Sequence, residues 1–143
     1  MIIKEPQTKE EFEQYYHLRW EMLRKPWGFP KGSEKTDDED KCIHAIILDE
    51  KTAVTAVCRL QFNSDEEAQI RFMAVKENMQ GKGLGKKIIS FMEDKARERK
   101  RKKIILHARE NAVEFYKSCG YSGEKKSHVL WGVIHHRLME KNL

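Results

Sequence analysis

The sequence is poor in cysteine and proline and has no long apolar run. Its three cysteines are an odd number and form no Cys-x-x-Cys pair, so we expect neither a disulfide framework nor a metal site. No apolar stretch approaches the ~20 residues that a membrane-spanning helix needs. The start of the chain has only Ile2 and Ile3 where a signal peptide would carry its apolar core. These absences predict a cytoplasmic protein with free thiols and no membrane partner.

No repeat, low-complexity segment or clear linker divides the chain, so we expect residues 1–143 to form a single domain. The net charge of +5 favours anionic ligands but is too small to indicate nucleic acid. Much of it lies in "KARERKRKK", Lys95–Lys103. This run fits the solvated C-terminal end of a helix, where cations meet the negative pole of the helix dipole. A nucleic-acid patch is the alternative, and the absence of interleaved aromatic residues disfavours it.

The hydrophobic pattern predicts the order strand, helix, loop, three strands, helix, strand, helix, two strands. Thr8 and Glu11 form a capping box at the start of the first helix, which we expect to extend to Arg24. "CIHAIIL" and "TAVTAVCRLQF" predict a hairpin, and the almost wholly apolar "KIILHA" predicts a buried central strand. This order describes an α/β (α+β) fold, in which a mixed sheet carries helices on its faces.

Three glycines alternate in "QGKGLGKK", between the predicted strand "AQIRFMAV" and the second predicted helix. Their spacing excludes both the P-loop and the dinucleotide-binding fingerprint. The remaining pattern, Gln-x-x-Gly-x-Gly, lets successive backbone N–H groups point into one concavity beside the positive end of a helix. We therefore expect a bound pyrophosphate, and the neighbouring lysines favour it over a tight turn without a ligand.

Two longer segments, "MAVKENMQGKGLGKKI" and "LHARENAVEFYKSCGY", resemble the GNAT (GCN5-related) N-acetyltransferases. The ending "VIHHRLMEK" is similar to the Gly-Ile-Pro-His-x-x-Met-x-Lys stretch of a bacterial subgroup of that family. The resemblance extends from about Cys42 to the C-terminus. It implies the GNAT acyl-CoA N-acyltransferase fold, with a mostly antiparallel central sheet and helices on both faces. It also implies direct transfer of the acetyl group of acetyl-CoA to a primary amine in a ternary complex.

The resemblance also implies where acetyl-CoA binds. Met73, Ala74 and Val75 match the strand whose backbone pairs with pantetheine, and a backbone N–H there would polarise the thioester carbonyl. Asn111 matches a residue that contacts the cofactor, although it can also cap the third helix. The matching pyrophosphate loop consists of Gln80, Gly81, Lys82, Gly83, Leu84, Gly85 and Lys86.

Tyr116 matches the residue that protonates the departing CoA thiolate in many members of the family. Its alternative role is to pack beside Phe115. Many members carry a glutamate in the strand before the glycine loop as the base. Here Gln69 and Arg71 stand in that strand instead, and Glu66 and Glu67 lie at its edge. Water-mediated deprotonation and a histidine elsewhere are the two alternatives.

The missing carboxylate makes His136 a candidate base, since an imidazole can accept a proton near neutral pH. Strand alternation sends His136 and His135 to opposite faces, and the resemblance favours His136 as the packed one. The alternative is that His136 is a hydrogen-bonded structural histidine. For His107, on a buried-looking strand, we expect a satisfied structural role.

An acetyl-CoA-dependent N-acetyltransferase is thus the leading interpretation. A non-catalytic acyl-CoA-binding sensor would keep the glycine loop without turnover, and a basic nucleic-acid-binding protein is a weaker alternative. The sequence leaves the acceptor open among polyamines, amino acids, aminoglycosides, peptide N-termini and protein lysines, and it leaves a homodimer open.

Overall fold

The computed structural model describes all of residues 1–143 and places seven strands in one sheet. The strands lie in the order β1-β2-β3-β4-β5-β7-β6, and every neighbouring pair is antiparallel except β4 and β5. The prediction of a mixed, mostly antiparallel sheet is confirmed. The strands are β1 (Ile2–Lys4), β2 (Ile43–Leu48), β3 (Val54–Phe62), β4 (Glu67–Val75), β5 (Lys103–Arg109), β6 (Ser122–Leu130) and β7 (Ile134–Asn142).

The parallel strands β4 and β5 separate after three residue pairs. Only Glu67–Gln69 pairs with Lys103–Ile105. Beyond that point β4 remains paired with β3, and β5 remains paired with β7 as far as Arg109. The sheet therefore opens between the central strand β4 and its neighbour β5, and residues 70–75 of β4 have no strand partner on that side.

Three helices cover the two faces of the sheet: α1 (Lys9–Leu23), α2 (Leu84–Glu98) and α3 (Val113–Ser118). On one face, Tyr15 and Leu18 of α1 pack in a cluster with apolar side chains of β2 and β3. On the other face, Ile88 and Met92 of α2 pack in the larger core cluster with Leu106 of β5. Helices on both faces were predicted, and this prediction is confirmed.

The start of α1 follows the predicted capping signal, but the start of α3 does not. Thr8 and Glu11 form the capping box of α1, with each side chain accepting from the other's backbone N–H. The third helix begins only at Val113, with Ala112 at the N-cap and no capping side chain. The predicted capping role of Asn111 is therefore wrong, because Asn111 lies within a preceding 3-10 turn. None of the helices has the length and apolar character that crossing a membrane requires.

Strand β5 is not buried on both faces as its apolar composition predicted. Ile104, Leu106 and Ala108 are buried against α2 and α3, whereas Ile105 and His107 are only partly buried on the opposite face. The reason is that α1, which covers this face, packs on β2, β3 and β4 rather than on β5.

The long connection between α1 and β2 is anchored by a buried ion cluster. Glu39, in a 3-10 turn of this connection, lies 2.6 Å from Arg19 Nη2 of α1 and 2.7 Å from Arg59 Nη1 of β3. Both arginine side chains are fully buried. Burial alone would raise the pKa of Glu39, but the hydrogen bonds from Arg19 and from the Thr36 backbone, with the charges of both arginines, lower it to about 2. The cluster thus joins the connection to a helix and to the sheet at one point.

Candidate active site

A cleft of about 1040 Å³ occupies the opening between β4 and β5. It brings together all the residues predicted for the site except Lys82, whose ammonium group lies outside the lining, 3.8 Å from Met79 Sδ. The predicted residues that line it are Met73, Ala74, Val75, Gln80, Gly81, Gly83, Leu84, Gly85, Lys86, Asn111, Tyr116 and His136.

A β-bulge reshapes β4 where it borders the cleft. Phe72 has a φ of 53°, in the left-handed region that a bulky residue rarely adopts. On β3, Arg59 pairs with Arg71 and Val57 pairs with Ala74, so Phe72 and Met73 together oppose the single residue between them. The bulge interrupts the ladder to β3 at a point where β5 has already diverged on the other side of β4. Because no strand pairs with β4 on the β5 side here, its backbone groups can bind an extended ligand in place of a strand.

The glycine loop turns the chain from β4 into α2. Gly81 and Gly83 have φ values of 78° and 81°, and Gly83 is the N-cap of α2 without any capping side chain. The first-turn N–H groups of α2 are thus left for a ligand. The side-chain amide of Gln80 donates to the carbonyl of Val75 at 3.0 Å and ties the loop to the end of β4.

Gly85 has a different reason to be glycine. A Cβ at this position would lie 2.8 Å from Cζ of Phe115, whereas a Cβ at Gly81 or Gly83 would meet nothing within 4 Å. Gly85 therefore lets α2 pack closely against α3, and the two other glycines supply the left-handed backbone of the loop.

Tyr116 lies in α3 with its ring buried between two other aromatic rings. Its centroid is 5.1 Å from that of Phe115 and 6.0 Å from that of Tyr121, both in edge-to-face orientation. Burial raises the pKa of Tyr116, so the phenol keeps its proton at neutral pH. The predicted packing beside Phe115 is present, and Tyr116 also lines the cleft.

His136 is buried and His135 is exposed, as strand alternation and the resemblance predicted. Strand β7 lies directly beside β5, and this insertion brings His136 to the cleft. Its Nδ1 is 3.0 Å from the carbonyl oxygen of Ile134, which makes Nδ1 the protonated nitrogen of the neutral ring. Burial lowers the pKa of His136, and positive charge at His128 lowers it further.

Two further histidines join His136 in a row of rings. The His128 ring stacks on His136 at 4.2 Å between centroids, and the His107 ring meets His128 at 5.1 Å. The expectation of a satisfied structural role for His107 is wrong, because its buried Nδ1 has no hydrogen-bond partner. Burial, followed by positive charge at His128 and Arg71, lowers the pKa of His107.

Sequence reasoning missed several residues that line the cleft: Arg24, Arg71, His107, Arg109 and His128. A signal for two of them exists in β5, where Ile105, His107 and Arg109 alternate with the buried residues at the strand period of two. Arg24 follows α1 and His128 lies in the exposed edge strand β6, and neither has a local signal.

A comparison with protein families matches residues 12–121 to the acetyltransferase (GNAT) family. Among solved structures, a Lactobacillus plantarum protein classed as an N-acetyltransferase has a TM-score of 0.86 at 20% identity, over 99% of this chain and 97% of that one.

An aminoglycoside 6'-N-acetyltransferase in complex with coenzyme A has a TM-score of 0.81 at 15% identity, over 99% of this chain and 97% of that one. The ribosomal-protein-S18-alanine N-acetyltransferase of Escherichia coli has a TM-score of 0.74 at 18% identity, over 99% and 92% of the two chains. At such identities these structures establish the fold.

Proposed function

The chain belongs to the acetyltransferase (GNAT) family, and we propose that it transfers the acetyl group of acetyl-CoA directly to a primary amine in a ternary complex. One observation carries the proposal. A single cleft joins the uncapped start of α2 to the unpaired edge of β4, so a pyrophosphate site and a site for an extended chain are continuous.

The residues of the cleft fit both the pyrophosphate and the pantetheine of acetyl-CoA. The left-handed Gly81 and Gly83 and the first turn of α2 would hold the pyrophosphate through backbone N–H groups, with Lys86 adding positive charge. The unpaired edge of β4 over Met73–Val75 would hold the pantetheine as an added strand. Asn111 lines the same cleft and would contact the cofactor. When bound, acetyl-CoA supplies the thioester from which the acetyl group is transferred.

Tyr116 is the proposed general acid. Its raised pKa keeps the hydroxyl protonated, so the phenol can donate to the sulfur of the leaving thiolate. The rings of Phe115 and Tyr121 hold the phenol in one orientation, which reduces the cost of positioning the proton.

His136 is the proposed general base. With Nδ1–H donating to Ile134, the unprotonated Nε2 is the nitrogen that accepts a proton from the acceptor ammonium, directly or through water. Its lowered pKa keeps the ring neutral at pH 7, as a base must be before the reaction. We place this chemistry in the cytoplasm, because all three cysteines are free thiols.

The competing interpretations receive less support. In the basic run, Lys95, Arg97, Lys102 and Lys103 pair with carboxylates, and Arg99 and Arg101 lie over the Phe62 ring. Such partners suit a solvated surface rather than a nucleic-acid site. A non-catalytic sensor has no need of a buried tyrosine and a histidine that line the cofactor cleft.

The proposal is tested by calorimetry with acetyl-CoA and by CoA release over a panel of amines. Binding together with amine-dependent CoA release is the expected result. Binding without release from any amine would support the sensor, and failure to bind acetyl-CoA would refute the donor assignment.

A further inference from the structure

We infer that the acceptor is an amine that also carries a carboxylate or a phosphate group, which Arg24, Arg71 and Arg109 recognise. The inference rests on the proposed acetyl transfer and narrows its acceptor. The lining of the cleft contains three arginines and three histidines but no aspartate and no glutamate.

The three arginines converge from separate elements on the α1 face of the sheet. On β4 and β5, Ile70 and Ala108 are packed in the core under α2 and α3, so their neighbours Arg71 and Arg109 face the other way. Arg24 follows the last turn of α1, which covers that face. His136 pairs with Arg109 across β5 and β7, which places the proposed base beside the arginines.

The fold uses few of the hydrogen-bond donors of the three cleft arginines. Arg71 and Arg109 make no ion pair and no side-chain hydrogen bond, and Arg24 bonds only the carbonyls of Leu23 and Ser33. The buried Arg19 and Arg59, in contrast, both bond the carboxylate of Glu39.

Aromatic faces position two of these arginines, Arg71 and Arg24. The Arg71 guanidinium carbon is 4.7 Å from the centre of the Phe72 ring, and that of Arg24 is 5.2 Å from the Trp131 ring. Stacking of this kind orients a planar guanidinium without consuming its N–H groups. The whole Arg71 fork then remains available for the paired oxygens of a carboxylate or phosphate. Arg24 keeps its Nη2 group free, because its Nε and Nη1 donate to Ser33 and Leu23.

Neighbouring arginines disfavour the charged forms of Arg24 and Arg71. Burial lowers the pKa of Arg24, and the positive charges of Arg19, Arg109 and Arg71 lower it further, with Glu34 opposing only weakly. Burial and then the charge of Arg59 lower the pKa of Arg71, while Asp38 and Glu39 act in the opposite direction. A bound anion would relieve this repulsion, so the cluster favours an anionic ligand.

The same charges act on the amine. A positive environment lowers the pKa of a bound ammonium group, because it disfavours the charged form. The free amine that attacks the thioester is thereby made more available, and the strand carboxylate used by many family members is not needed. Polycationic acceptors such as polyamines and aminoglycosides would meet repulsion, and the lining of the cleft has no carboxylate to bind them.

The test uses matched pairs of amines that differ in one anionic group, with spermidine as a polycation. α-Amino acids are compared with their carboxamides, and 2-aminoethyl phosphate is compared with ethanolamine. We expect kcat/KM for CoA release to be at least tenfold higher for the anionic member of a pair. The pair with the larger ratio distinguishes a carboxylate from a phosphate as the recognised group.

Variants of Arg71 and Arg109 test whether these arginines cause the preference for anionic acceptors. Arg71→Gln and Arg109→Gln should each raise KM for the anionic acceptor at least tenfold, with the Kd for acetyl-CoA within twofold of the original. Arg71→Lys and Arg109→Lys should restore part of the loss. Arg97→Gln, on the exposed side of α2, is the control and should change neither constant.

Calorimetry of the same amines on the protein–CoA complex gives a readout that does not depend on turnover. Tighter binding of the anionic members, lost in Arg71→Gln, supports the inference even if no amine in the panel is acetylated. Equal binding within the pairs, or a preference for spermidine, overturns it. Absence of acetyl-CoA binding instead refutes the proposed function, so the two failures are distinguishable.

Discussion

At the scale of single residues, the hydroxyl of Tyr116 can be removed without disturbing its ring. Tyr116→Phe keeps the packing against Phe115 and Tyr121 and deletes only the proton donor. If Tyr116 is the general acid, kcat should fall at least tenfold while the Kd for acetyl-CoA stays within twofold. Steady-state kinetics and calorimetry measure the two quantities. Equal kcat values at saturating substrates would leave Tyr116 with a packing role alone.

His136 should impose an acidic limb on the pH profile of kcat/KM. A base must be neutral, so activity should fall as the pH drops through the pKa of His136, which burial and His128 lower below 6.5. His136→Asn should remove this limb. His128→Asn should move it to higher pH, because a neighbouring positive charge is lost. The exposed His135→Asn is the control, and an unchanged profile in His136→Asn would contradict the assignment.

The glycine loop can be tested at Gly83 through backbone conformation alone. A side chain there meets nothing within 4 Å, so only the φ of 81° opposes substitution. Gly83→Val should weaken acetyl-CoA binding at least tenfold, about 1.4 kcal/mol, because a β-branched residue resists the left-handed region. Gly83→Asn is the matched variant and should lose less, since asparagine tolerates that region. Equal affinities of both variants and the original protein would show that the loop does not hold the cofactor.

At the scale of elements, Glu39 should determine how well the α1–β2 connection is anchored. Glu39→Gln leaves the buried Arg19 and Arg59 without their counter-charge, so we expect a loss of about 3 kcal/mol in the free energy of unfolding at pH 7. Urea unfolding measures the change. The exposed Glu98→Gln, which removes a surface pair with Lys95, is the control and should cost less than 1 kcal/mol.

The sign of the pH dependence follows from the lowered pKa of Glu39. Its contribution is complete above the ordinary pKa of about 4.5 and is lost as the pH falls towards its folded value of about 2. The stability difference between the original protein and Glu39→Gln should therefore shrink between pH 4.5 and pH 2. A difference that stays constant over this range would show that the carboxylate is not the anchor.

How far the sequence predicts each element depends on whether its signal is local. The capping box at Thr8 and the apolar spacing along α1 and α2 lie within a few turns, and the structure confirms them. The bulge at Phe72 has no such signal, because it depends on the register between β3 and β4, and a phenylalanine rarely adopts the left-handed region. The sequence of β5 predicts burial on both faces because Ile105 is apolar. Ile105 nevertheless lies on the partly buried face, with His107 and Arg109.

For the candidate site, too, prediction from the sequence depends on whether the signal is local. The glycine loop is one continuous segment, so its residues and spacing could be read directly from the sequence. The arginine and histidine lining is assembled from β4, β5, β6, β7 and the end of α1. Its members become neighbours only because β7 inserts beside β5 and because β4 and β5 separate, and neither event follows from a local pattern.

At the scale of the whole molecule, the cleft divides the sheet into two parts, β1–β4 and β5–β7–β6, which pair directly only over Glu67–Gln69 and Lys103–Ile105. A ligand in the cleft contacts both parts, so it should stabilise the molecule as a unit. At a concentration 100 times its Kd, acetyl-CoA should add about 2.7 kcal/mol to the free energy of unfolding.

Amide hydrogen exchange shows where that stabilisation acts. We expect acetyl-CoA to slow exchange over Met73–Val75, whose cleft side has no strand partner, and over the uncapped first turn of α2. The pair β1–β2 lies at the far edge of the sheet and provides the internal control, because its local exchange should change least. Protection confined to the glycine loop would mean that the pantetheine arm does not enter the opening between β4 and β5, and the added-strand model would then fail while pyrophosphate binding stood.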